Sequence, residues 1–328
     1  MKDLIKKLVE STGPSGYETK VRDLVEAEIK AYADEIYTDA LGNLIARKGK
    51  KKGDGKKIMI SAHLDEIGIV VTYVDKNGFA RFTNIGGVYP RNCVGGRVRF
   101  MNGAQGVIGV ENGVTTPALT DMYIDLGATS AQDCPVKIGD IAAFDRPFVD
   151  LGNRLVSKAM DDRIGVAVGI ETLRQLKSTP HEVSFVFSVQ EEVGTRGAAT
   201  SAFGVDPDIG LAIDVTLSGD TPKGFKMEVG LGKGAAIKVR DGGMLADPRI
   251  VDWMVKTAEA KNIPHQLEIL EGGTTDARAI QTARAGVPAG CLSIPCRYVH
   301  SPSEMVDYND VQNGVKLLVA MLSQPVQL

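Results

Sequence analysis

The second half of the chain alternates short apolar runs with stretches of helical periodicity, and that alternation restricts the fold more than any other feature. Runs fit for buried strands fall at 183–189, 209–213, 235–239, 266–270 and 289–294. Between them lie segments with apolar residues three or four apart: Val166, Ile170 and Leu173 after Asp161-Asp162, then 248–261 and 275–284. A stripe of Val311, Val315, Leu318 and Leu322 marks a last helix. Runs apolar throughout suit strands covered on both faces, and helices between strands act as crossovers. The expected fold is α/β: a mixed, mostly parallel sheet with helices on both faces.

The first half reads differently. Ser15-Gly16-Tyr17-Glu18 has the form of a capping box ahead of an amphipathic helix bearing Val21, Leu24, Val25 and Ile29. The run KIMISAH, ending in His63, reads as a short buried strand. From about Leu64 to about Gly152, β-branched runs are broken by Asp75-Lys76-Asn77-Gly78, Gly86-Gly87, Gly95-Gly96, Asn102-Gly103 and Asn112-Gly113. These are the turn signals of a small antiparallel β module. The opening helices and the His63 strand close no core by themselves. The module is therefore expected as an insertion, with 1–65 and 152–328 forming one discontinuous α/β domain and 66–151 a barrel-like unit within it.

With 328 residues, 43% of them hydrophobic and 24% charged, the chain can bury a large core. A net charge of −3 gives no handle for nucleic acid or an anionic membrane, so neither is an expected partner. No apolar stretch approaches the roughly 20 residues of a spanning helix. The opening MKDLIKKLVEST mixes charges with apolar residues, unlike a signal peptide, so a cytoplasmic setting is expected. Cys93, Cys134, Cys291 and Cys296 make no disulfide framework in a chain this long and are expected as core or near-surface thiols.

In open α/β sheets, sites form beyond the carboxyl ends of the strands. Those ends carry His63 with Asp65, Glu191 and Glu192 after SFVFSVQ, Asp214 after Gly210-Leu211-Ala212-Ile213, and His300 beyond CLSIPCRYV. Asp161 and Asp162 open a helix. Singly, each has an ordinary role: a helix cap, an acceptor for a backbone amide, or a satisfied histidine, as expected of His181 and His265. Together they gather two of the four histidines and several carboxylates on one rim. Buried carboxylates sharing a rim repel one another and take up protons unless a cation neutralises them. Imidazole and carboxylate are ligands that zinc, cobalt and manganese accept. Two histidines with three carboxylates suit two ions about 3.5–4 Å apart. On an extended strand successive side chains point opposite ways, so Glu191 and Glu192 are expected to divide the work of ligand and base.

The stretches Ala62-His63-Leu64-Asp65-Glu66, Ala159-Met160-Asp161-Asp162-Arg163, Gln190-Glu191-Glu192-Val193-Gly194, Ile213-Asp214-Val215 and Arg297-Tyr298-Val299-His300-Ser301-Pro302 occur in that order. In this the chain resembles, over essentially its whole length, the tetrahedral or glutamyl aminopeptidases, cytoplasmic dinuclear metallo-aminopeptidases some of which were once labelled cellulase M. The resemblance implies that Asp161 bridges two divalent ions per subunit, zinc or cobalt, or else manganese. His63 and Asp214 would complete one site, Glu192 and His300 the other. Glu191 would be the general base, Asp65 would hold the second ring nitrogen of His63, and Asp162 would support Asp161. Substrates would be short peptides cleaved at the N terminus, with members differing in their taste for acidic, neutral or basic first residues. Arg297, Lys238, Arg240 and the turn Gly272-Gly273-Thr274-Thr275-Asp276 could face that pocket or serve ordinary pairing and capping. The resemblance also implies self-association through the inserted module, as a dimer or a hollow tetrahedral dodecamer. Val107, Ile108 and Val110 are available for such a contact or for the module's own core.

Two rival readings remain. A glycosidase would use Glu191 and Glu192 as acid and base about 5–10 Å apart, leaving His63, Asp161, Asp214 and His300 without a purpose. One Trp and 5% aromatic residues offer little for stacking sugars. A non-catalytic metal-binding assembly protein has no need of a glutamate beside a ligand, structural zinc sites being closed and commonly rich in cysteine.

Overall fold

The computed structural model describes residues 1–326. Its centre is four parallel strands, in the spatial order Glu182–Ser188, Lys57–His63, Ile209–Leu217 and Ala289–Arg297. Antiparallel strands extend it both ways. Leu44–Lys48 and Glu35–Thr38 lie outside Glu182–Ser188. On the other side come Glu304–Asp307, Arg154–Ser157 and Val149–Leu151. Ala235–Arg240 pairs antiparallel with Ala289–Arg297 and carries His265–Ile269 in parallel, making 11 strands among the described residues.

Pleating distributes the apolar runs between two faces. Ile58, Ile60, Phe185 and Phe187 join the larger core beneath helices Lys2–Glu10, Thr19–Ile29, Met160–Gln175, Pro248–Ala260 and Tyr308–Leu322. Met59 and Val186 point the other way, onto Ala198, Ala202 and Ile280 of helices Arg196–Val205 and Asp276–Gln281. The sheet is mixed, with helices on both faces, as the periodicity predicts.

The inserted module is a closed antiparallel barrel of Gly68–Val74, Ala80–Ile85, Met122–Asp125, Gln105–Val110, Arg97–Phe100 and Ile141–Phe144. It has its own core, including Ile69, Phe82, Phe100, Ile124 and Phe144. Ile108 belongs to that core, whereas Val107 is exposed. The chain re-enters the large sheet at Val149–Leu151, slightly ahead of residue 152.

The expected capping box does not form. Helix Thr19–Ile29 has Glu18 at its N-cap with no side-chain cap bond. The Ser15 hydroxyl donates instead to Asp65 Oδ2 at 2.6 Å, and Glu18 Oε1 accepts the amides of Gly16 (2.7 Å) and Gln190 (3.1 Å). A distant carboxylate has taken the Ser15 hydroxyl, and Glu18 divides its oxygen between a neighbouring amide and a distant one. Among the described residues no helix is long and apolar enough to cross a membrane.

Candidate metal centre

The parallel strands deliver their carboxyl ends to one rim. His63 closes its strand opposite Ser188, and Asp214 lies beyond the Ala212–Ser61 pair on the next strand. Asp161 enters from the start of helix Met160–Gln175, and His300 from the turn after Ala289–Arg297. Asp161 sits between the two histidines: its Oδ1 is 3.0 Å from His63 Nε2 and its Oδ2 is 3.3 Å from His300 Nε2. His300 Nε2 is also 3.3 Å from Glu192 Oε2, and Asp214 Oδ1 is 4.0 Å from His63 Nε2. Ligand atoms of His63, Asp161 and Glu192 converge within 4.8 Å, as do those of His63, Asp162 and Asp214. All five expected ligands meet on one rim. Asp162, expected only as support, is close enough to join them.

Further buried carboxylates fix the backbone that carries these groups. Asp65 accepts the amides of Glu191 (3.0 Å) and Glu192 (3.1 Å). Asp65 also meets the second ring nitrogen of His63: Nδ1 lies 3.0 Å from its backbone carbonyl and 3.5 Å from its carboxylate. Asp162 accepts the amide of His63 at 3.2 Å and that of Gly165 at 3.0 Å. Glu304, which nothing in the sequence singles out, accepts the amides of Asp161 (3.0 Å) and His300 (2.8 Å). Asp276, marked in the sequence only as part of a turn, receives the hydroxyls of Ser61 (2.6 Å) and Ser188 (2.5 Å) and ties two central strands together beneath the rim.

The glutamate doublet lies past the strand that ends at Ser188, so pleating does not set its directions. Gln190 turns the chain with a left-handed φ of +56°, and Asp65 then holds both following amides. Separation of the two glutamates thus comes from a turn.

The electrostatics are those of a crowded acidic cluster. Burial above all, helped by neighbouring carboxylates, pushes Glu191, Asp214 and Asp162 well above the usual carboxylate range. Burial also opposes charge on the imidazoles, but carboxylates outweigh it. Asp161 and Asp65 hold His63 well above an ordinary histidine, and Glu192 with Asp161 pushes His300 up to about 12. For Asp161, burial is outweighed by His300 and His63, which keep it ionised. Carboxylates that recruit protons, around imidazoles that keep theirs, are the pattern expected where divalent cations neutralise the cluster. The oxygen and imidazole donor set fits zinc, cobalt or manganese.

The rim floors a cleft of about 1080 Å³ lined by Asp161, Glu191, Glu192, Asp214 and His300. Gly272 to Thr275 line it too, and Thr275 caps helix Asp276–Gln281 by accepting from Ala277 N at 3.3 Å. Two cations of the cleft are neutralised: Lys238 Nζ is 2.6 Å from Glu268, and Arg297 forks onto Asp220 at 2.9 and 2.8 Å. His181 is satisfied as expected, with Nδ1 accepting from Lys56 N at 3.0 Å and Nε2 donating to the Gln324 carbonyl at 2.8 Å. His265 Nδ1 has the Ile263 carbonyl at 3.1 Å.

A carboxylate and imidazole cluster at the strand ends, open to a wide cleft, is the equipment of a metal-dependent hydrolase. The chain belongs to the M42 glutamyl aminopeptidase family, whose model matches residues 42–317. It is 38% identical to the lysyl aminopeptidase of Pyrococcus furiosus over 98% of this chain and 96% of the relative. An aminopeptidase from the archaeon Desulfurococcus kamchatkensis superposes with a TM-score of 0.94 at 42% identity, covering 98% of this chain and 94% of that one. The TET1 peptidase of Pyrococcus horikoshii, which can assemble into a tetrahedron or a large octahedral shell, gives a TM-score of 0.87 at 32% identity, over 98% of this chain and 99% of that one. The protein is accordingly an aminopeptidase, a hydrolase of peptide bonds, and neither the glycosidase nor the non-catalytic reading stands.

Proposed function

We propose that the chain releases N-terminal residues from short peptides with two divalent ions per subunit and Glu191 as general base. Asp161 would bridge the ions, with His63 and Asp214 completing one site and Glu192 and His300 the other. The observation that carries this reading is the placement of Asp161, whose two oxygens each face a different imidazole Nε2, at 3.0 and 3.3 Å. Bound there, zinc, cobalt or manganese would polarise the scissile carbonyl and acidify a water molecule. Glu191 takes the proton from the attacking water and returns it to the leaving amine. Burial raises its carboxyl well above the usual carboxylate range, which favours its holding the proton between the two steps. Asp65 keeps Glu191 and Glu192 in register through their amides. Carboxylates around the rim attract the free α-amino group, so cleavage starts at an N terminus.

Residues 1–65 and 152–328 act in this reading as the catalytic unit and 66–151 as the unit of self-association, into a dimer or a tetrahedral dodecamer. The separate core of the barrel and the assemblies formed by the Pyrococcus horikoshii relative support it. The cytoplasm is the proposed compartment, which four cysteines without a disulfide suit. Apo protein reconstituted in turn with zinc, cobalt and manganese, and assayed on a panel of aminoacyl chromogenic amides, tests the reading. Activity should be absent after chelation and return with at least one ion; full activity in the chelated protein would contradict it.

A further inference from the structure

His300 stands apart from the other rim residues in how it is held. Its φ is +59°, in the left-handed region that few residues with a side chain adopt. Both ends of its backbone are gripped. The amide donates to Glu304 Oε1 at 2.8 Å, and the carbonyl accepts from Asn92 Nδ2 at 3.1 Å.

The two grips come from different parts of the chain. Glu304 opens the strand Glu304–Asp307 of the large sheet and also holds the amide of Asp161. Asn92 lies in the short helix Pro90–Cys93 of the inserted module, between barrel strands Ala80–Ile85 and Arg97–Phe100. The module can come this close because residue 87 is glycine: a Cβ there would lie 2.3 Å from His300 Nδ1. Gly87 brings backbone against the ring, and Asn92 reaches past it to the carbonyl.

We propose that Asn92 is a positioning residue of the metal centre, the barrel's half of a clamp on His300 whose other half is Glu304. The clamp imposes the left-handed backbone that aims Nε2 at Asp161 and Glu192, each 3.3 Å away. The inserted module thereby completes one of the two ion sites in its own subunit, a task separate from self-association. This rests on the dinuclear reading above. Outer groups that orient a ligand commonly set metal affinity within a factor of about 10–100.

The test uses full-length protein and Co²⁺ alone as the probe. Apo wild type, N92D and N92A are titrated in competition with a chelator, and thermal unfolding of each apo form checks folding. N92D keeps the volume of the side chain but has no N–H to offer the carbonyl. Both variants should hold one ion with the wild-type dissociation constant and the other at least about 10-fold more weakly. Activity should fall at limiting Co²⁺ and recover with excess. Two ions bound with wild-type constants in N92D, or equal weakening of both, would overturn the proposal while leaving the dinuclear reading intact. A wild type that takes up no ions would overturn both.

Discussion

Replacing Glu191 by glutamine should lower kcat by about 10²–10⁴-fold while the bound metal stays at its wild-type level. The substitution is nearly isosteric and leaves the backbone amide that donates to Asp65 at 3.0 Å. The side chain belongs to neither of the groupings in which His63 meets Asp161 and Glu192, or Asp162 and Asp214. What the amide cannot do is accept the proton of the attacking water. The measurements are kcat on a reconstituted enzyme and metal content per subunit. Wild-type turnover, or a loss of metal in step with the loss of activity, would take the base role away from Glu191.

The second large effect is expected at Asp161. Each of its oxygens faces a different histidine, so both ions of the proposed centre depend on one carboxylate. In Asp161→Asn one of those oxygens becomes an NH₂ group, and whichever way the amide turns, one ion loses a ligand. The variant also removes the charge that holds both imidazoles close. Fewer than two ions per subunit should be retained after dialysis, and activity should drop by at least about 10³-fold, equivalent to about 4 kcal/mol of barrier. Elemental analysis and kcat/KM give both numbers. A variant that keeps two ions and most of its activity would deny Asp161 the bridging position.

The sequence reveals this fold where a signal is local and hides it where it is not. Apolar runs such as 183–189 announce buried strands because every residue has an apolar face to meet, Val186 on one side and Phe185 and Phe187 on the other. Hairpin partners such as Glu35–Thr38 and Val149–Leu151 are short, mostly exposed edge strands with no such run, and only pairing reveals them. Helix Arg196–Val205 escapes notice because alanine, glycine, serine and threonine carry little periodic contrast.

The site divides along the same line. Side chains that end strands stand out, being polar residues where an apolar run stops. The groups that hold them do not. Glu304, Asn92 and Asp276 meet their partners through contacts that spacing alone does not encode, across 143, 208 and 215 residues in the pairs Glu304–Asp161, Asn92–His300 and Asp276–Ser61. Ser15 shows the converse: a capping pattern legible in four residues yields to a hydrogen bond with Asp65, 50 positions away. There the local rule yields to the carboxylate that also holds the amides of Glu191 and Glu192.

Anomalous diffraction from crystals grown with excess zinc tests the central claim most directly. Two peaks about 3.5–4 Å apart should flank Asp161, one against His63 and Asp214 and the other against Glu192 and His300. A single peak on one side of Asp161, or strong peaks only elsewhere on the molecule, would contradict it.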